Sequence, residues 1–108
     1  MTPGDMDRLL RLAIAEKRMI RFVMGDGEAR LGEPHDYGTM KGVDRVLVYQ
    51  VGGASRSGGL PNWRLVTVGK ISELEITEFT FEGPRGMTRG GYRWERMFAS
   101  VSRKPDEG

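Results

Sequence analysis

The spacing of apolar and polar positions divides the chain into one helical stretch followed by short alternating runs. Met6, Leu10, Ala13 and Ile14 recur at helical intervals, with Leu9 and Leu12 widening the stripe, which predicts a helix over residues 6–18. Asp5 or Thr2 can cap it, Pro3 suits a helix start, and Lys17 and Arg18 sit favourably against the C-terminal dipole. Over residues 19–24 the period drops to two, with Ile20, Phe22 and Met24 on one side and Arg21 on the other. Gly25-Asp26-Gly27 reads as a turn in which both glycines can take positive φ. Residues 28–33 then return as a hairpin partner and are expected to stop at Pro34, which lacks the N–H that a central strand needs. Residues 45–51 are apolar on both faces and predict a central strand. Residues 52–59 read as a mobile glycine-rich loop. Further strands are expected over 63–68 and 70–76, and Phe79 and Phe81 suit an edge strand or an anchored excursion. A glycine-rich connection over 83–91 leads to a last strand, 97–101, expected to close the sheet. The helix has no helical partner, so its stripe should pack over an open end or face of that sheet.

Composition narrows the class. At 108 residues the chain reads as one domain over residues 1–104, with 105–108 expected as a disordered tail. Sixteen glycines and five prolines mark many turns, so the expected fold is mostly β, a small β-barrel with one N-terminal helix. No window approaches the roughly 18 apolar residues of a membrane span, and the start lacks an apolar signal core. A cytoplasmic protein without membrane contact is the expectation. With no cysteine there is neither a disulfide framework nor thiolate chemistry. The net charge of +2 hides an asymmetry. Residues 71–82 carry Glu73, Glu75, Glu78 and Glu82 with no base, whereas residues 83–104 carry six basic residues against Glu95 alone. Such a split can attract a polyanion or simply form solvated faces.

Catalytic signatures fail on inspection. Gly69-Lys70 lacks both the upstream glycine and the following hydroxyl of a phosphate-binding loop. His35 is the single imidazole, which excludes a multi-histidine metal site, and beside Pro34 and Asp36 it reads as a turn residue before a general base. Ser55 and Ser57 lie in the glycine-rich loop, a poor mount for a nucleophile. Glu73 and Glu75 fall on a solvent face. The chain is therefore expected not to be an enzyme and to need no cofactor.

The basic residues on strands carry more. Arg30, Arg45, Arg64 and Lys70 fall at strand starts or ends, where neighbouring strands of a small barrel converge. Two or three converging cations can hold a phosphate. Equally, they can form cross-strand ion pairs with Glu28, Glu33 or Glu73, each worth about 0.2–1 kcal/mol. The run Arg89-Gly90-Gly91-Tyr92-Arg93-Trp94 can stack bases, or its aromatics can anchor a loop to the core.

The run Ala13-Ile14-Ala15-Glu16-Lys17-Arg18 leading into a strand, Arg30 ahead of Pro34, Leu47 in Arg45-Val46-Leu47, and Arg64 through Lys70-Ile71 together resemble the WYL-domain group over residues 9–76. Arg45 and Val46 stand where that group has the Trp and Tyr of its name, Thr67 where it has a second Arg, and Gly69 where it has an acid. The resemblance implies an Sm-like, SH3-like barrel and a ligand-sensing role in bacterial regulation or defence. It also implies binding of nucleotides or single-stranded nucleic acid through basic residues. Arg30, Arg64 and Lys70 inherit that candidacy, and Arg45 would be a substitute cation. Only about five residues precede the helix, so no room for a DNA-reading helix-turn-helix is expected, and the chain would act in trans, bind a partner or merely bind ligand.

The expectation is thus a non-catalytic regulatory module binding a nucleotide or short single strand through Arg30, Arg45, Arg64 and Lys70, with Tyr49 or Trp63 for base stacking. The alternative is a protein-interaction or self-assembly module, pairing through edge strands with a protein partner or its own copies.

Overall fold

The computed structural model describes residues 1–55, 58–85 and 92–101. Helix α1 (Pro3–Glu16) is followed by strands β1 (Arg18–Val23), β2 (Ala29–Met40), β3 (Val43–Gly53) and β4 (Asn62–Thr67). A 3-10 turn (Val68–Lys70) then leads to β5 (Glu73–Thr80) and β6 (Arg96–Ser100). The fold is mostly β with one helix, as the alternating runs imply.

Helix α1 starts three residues earlier than its apolar stripe. The Thr2 hydroxyl accepts from the Asp5 N–H at 3.1 Å, and the Asp5 carboxylate accepts from the Thr2 N–H at 3.3 Å. This reciprocal cap and Pro3 in the first turn nucleate the helix ahead of Met6. It also ends earlier, because Lys17 takes a left-handed conformation (φ 54°) and Arg18 already belongs to β1. Met6, Leu10, Ala13 and Ile14 are buried as expected, but Leu12 is 43% exposed and lies outside the stripe.

The sheet is antiparallel and runs β4-β3-β2-β1-β5, with β6 added on β2. Its helix-facing side, here the inner face, carries Ile20, Phe22, Val46 and Val48, which join the α1 stripe in one core with Leu74 and Val101. Strand β3 is central, between β2 and β4, and its Val46, Leu47 and Val48 are fully buried on both faces, as the continuous apolar run required.

Three expectations are corrected. Strand β2 does not stop at Pro34 but continues to Met40. Its pairing with β1 ends at Gly32 and its pairing with β6 begins at Asp36, so the proline falls in the changeover, beside a register shift against β3. Of the two turn glycines only Gly27 has positive φ (79°). The sheet is also open: β4 and β5 end the order without pairing, so the described strands form no closed barrel. Strand β6 does not close it, since it pairs with the C-terminal part of β2, an inner strand of the sheet, and the close approach there leaves no room for a side chain at Gly38. The expectations for Arg56, Ser57, residues 86–91 and the tail lie outside the described residues.

Candidate basic site and aromatic cavity

Strand alternation decides which of the candidate residues meet. Arg30 pairs with Phe22 across β1–β2, and Arg64 pairs with Val48 across β3–β4, so both arginines share the inner face with core residues. With Lys70, just after β4, they line one cavity of about 330 Å³ whose other walls include Phe22, Met24 and Val66. Three of the four expected cations are therefore brought together.

Each is held differently. Arg30 is only 13% exposed and grips the turn that precedes it, with Nη2 donating to Asp26 Oδ2 at 2.7 Å and Nη1 to Oδ1 at 3.1 Å. The Asp26 hydrogen bonds raise the Arg30 pKa further, against the opposing effect of burial. Asp26 in turn accepts from the Glu28 N–H at 2.9 Å, so the turn and its cation form one unit. Arg64 Nη2 donates to Ser55 Oγ at 2.7 Å, and Ser55 donates to the Gly58 carbonyl. Lys70 is exposed at the mouth. The arrangement offers two oriented guanidinium groups and an ammonium over a partly apolar floor. It suits a small anion carrying a flat or apolar portion.

Arg45, Tyr49 and Trp63 do not join this cavity. Arg45 neighbours the inward Val46 and points to the opposite, outer face at the far end of β3. Tyr49 lies between the inward Val48 and Gln50, so it too faces outward, directly across from Trp63. Their rings meet edge to face at 5.0 Å and line a separate cavity of about 740 Å³ with Glu33, Phe81 and Arg85. His35 is fully buried beside it, 4.8 Å from Trp63 edge-on and 5.3 Å from Phe81 in a stack, with Nδ1 2.8 Å from the Glu33 carbonyl oxygen. It is a core residue of β2, not a turn residue.

Ser55, weighed from sequence only as a nucleophile, Asp26, read only as a turn residue, and Arg85, counted only as charge, turn out to hold the cations and the carboxylate of these cavities. Asp26 is legible in retrospect as a turn acid four residues before an arginine. Ser55 and Arg85 reach their partners only through the tertiary fold. No group of three or more metal-ligating side chains occurs among the described residues. No helix among the described residues is long and apolar enough to cross a membrane. No family model, curated protein or solved structure matches the chain.

Proposed function

We propose that the chain is a non-catalytic ligand-sensing module that takes a nucleotide, or the end of a short single strand, into the inner-face cavity. The observation that carries this reading is the convergence of Arg30, Arg64 and Lys70 on one cavity of about 330 Å³. A phosphate would meet the Arg64 fork and the Lys70 ammonium, while Phe22, Met24 and Val66 receive an apolar portion. Arg30, already satisfied by Asp26, contributes field and shape more than free donors. Kinship with the WYL group and its Sm-like fold belongs to the same proposal, supported by the positions of these three cations. Arg45 is no part of the grip, and Tyr49 and Trp63 stack on nothing held there.

Fluorescence polarisation of labelled single-stranded DNA and RNA across a salt series, with mononucleotides as competitors, tests the reading. Binding that weakens as salt rises and is lost in Arg64→Ala supports it. Flat traces at low salt, together with no saturable heat on titrating a mononucleotide, would remove it.

The open sheet favours one second reading. Strands β4 and β5 each leave an edge unpaired among the described strands, and such edges can accept a strand from a partner. A concentration-independent dimer or ring in light scattering would bring that reading forward.

A further inference from the structure

The outer-face cavity has no role in the anion site, and its chemistry is of the opposite sign. Glu33 stands on β2, inside the sheet, with its side chain only 3% exposed. Its cation comes from a distant part of the chain. Arg85 lies just beyond β5, with its side chain 44% exposed, and its Nε and Nη2 each donate to one Glu33 oxygen at 2.8 Å. The guanidinium carbon lies 4.1 Å from the centre of the Tyr49 ring. The carboxylate is thus part of the rigid scaffold, whereas the cation is carried on a half-exposed arm.

A carboxylate presenting both oxygens beside an aromatic face matches a guanidinium specifically. The planar fork makes two parallel hydrogen bonds while its π face lies on the ring. A lysine ammonium, a compact and strongly hydrated point charge, reproduces neither. The space of about 740 Å³ is open with Arg85 in place, so a second guanidinium has room to approach before the first leaves.

We propose that Glu33 and Tyr49, walled by Trp63, form a guanidinium-binding site that Arg85 fills in cis and that an external arginine enters by displacing it. The external group is a free arginine or an arginine side chain on a peptide. Recognition is the same for both, so both are probes.

Isothermal titration of L-arginine, of the peptide Gly-Gly-Arg-Gly-Gly and of its lysine counterpart into wild type and Arg85→Ala is the test. Removing the internal competitor should tighten arginine binding by about tenfold, with the lysine peptide at least about tenfold weaker. Adding Glu33→Gln to Arg85→Ala should abolish it. Peptide and free arginine binding alike would assign recognition to the side chain alone, and a tighter peptide would assign it to chain-borne arginine. Folded Arg85→Ala protein that gives no saturable heat into the millimolar range overturns the proposal, as does equal affinity for arginine and lysine. Should Arg85→Ala fail to fold, titration of wild type by NMR decides. A shift of the Trp63 indole N–H, with Trp94 beside Gly38 unmoved, supports displacement, and no shift removes it. Arg64→Ala should leave these results unchanged, which separates this site from the anion cavity.

Discussion

Arg64 and Arg30 reach the same cavity with different commitments. Arg64 is oriented by the Ser55 hydroxyl and by a long bond of 3.5 Å to the Trp63 carbonyl, with no carboxylate among the described residues in its grip, so a phosphate can take over its donors with little disturbance. Arg64→Ala should weaken ligand binding by about 1.5–3 kcal/mol, the worth of a charged hydrogen bond, while leaving the denaturation midpoint close to wild type. Arg30 is tied twice to Asp26, and both side chains are largely buried. Arg30→Ala should therefore cost about 1.5–3 kcal/mol of stability, read by urea denaturation, whether or not ligand is present. The opposite pattern, with Arg64→Ala unfolding the protein and leaving affinity intact, would make Arg64 structural. At this scale the expectation that all four cations end strands fails, since Arg64 stands within β4 and Lys70 on the 3-10 turn, and the sequence did not show which way any of them points. Tyr49 and Gln50 are adjacent in the chain and lie on opposite faces, so an aromatic expected beside the arginines became the wall of another cavity.

At the scale of elements, α1 is docked by more than its apolar stripe. The Tyr37 hydroxyl on β2 donates to Asp7 at 2.8 Å, Arg11 Nε donates to the same carboxylate, and Arg11 also donates to the Phe98 carbonyl on β6. For Asp7, burial pushes the pKa up, but the hydrogen bonds from Tyr37 and Arg11 outweigh it and hold the group below its ordinary 3.8. A depressed carboxylate adds stability that is present above the unfolded value and lost as pH falls through the folded one, so this docking should weaken below about pH 4. Tyr37→Phe should cost about 0.5–1.5 kcal/mol at neutral pH and reduce the acid slope, measured by denaturation at stepped pH. Burial, then the Asp7 hydrogen bond, raises the Tyr37 pKa above its ordinary 10.0. Its contribution is present below that value and declines in strong alkali. The helix was legible in its i, i+4 spacing and its ends were not, since a capping box and a left-handed Lys17 act through backbone geometry. Strand β2 was misread at Pro34 because the exemption depends on which neighbour lies alongside, a tertiary fact.

For the whole molecule, edge chemistry and assembly are linked. Outermost strand β5 carries Glu73, Glu75 and Glu78, and antiparallel pairing of two such edges would bring like charges together. The chain should therefore run as a monomer in size-exclusion with light scattering at neutral pH and low salt, and a dimer there would contradict this. Hydrophobic patterning showed the β-rich class, the central place of residues 45–51 and the single helix. Closure was not legible, because it depends on whether the two outermost strands meet, and no local pattern encodes that distance. One arrangement within the sheet has a kinetic side. Along one edge of β2, β1 serves as neighbour up to Gly32 and β6 from Asp36 onward, with Pro34 at the splice. The first partner is a hairpin neighbour close in sequence, whereas the second returns from more than sixty positions away, Asp36 meeting Ser100. Along this edge the early half of β2 can zip as soon as its turn with β1 forms, but the pairing of its later half with β6 must wait for nearly the whole chain. The backbone amides shared by β2 and β6 should therefore surrender deuterium protection as a unit of their own, ahead of those shared by β1 and β2.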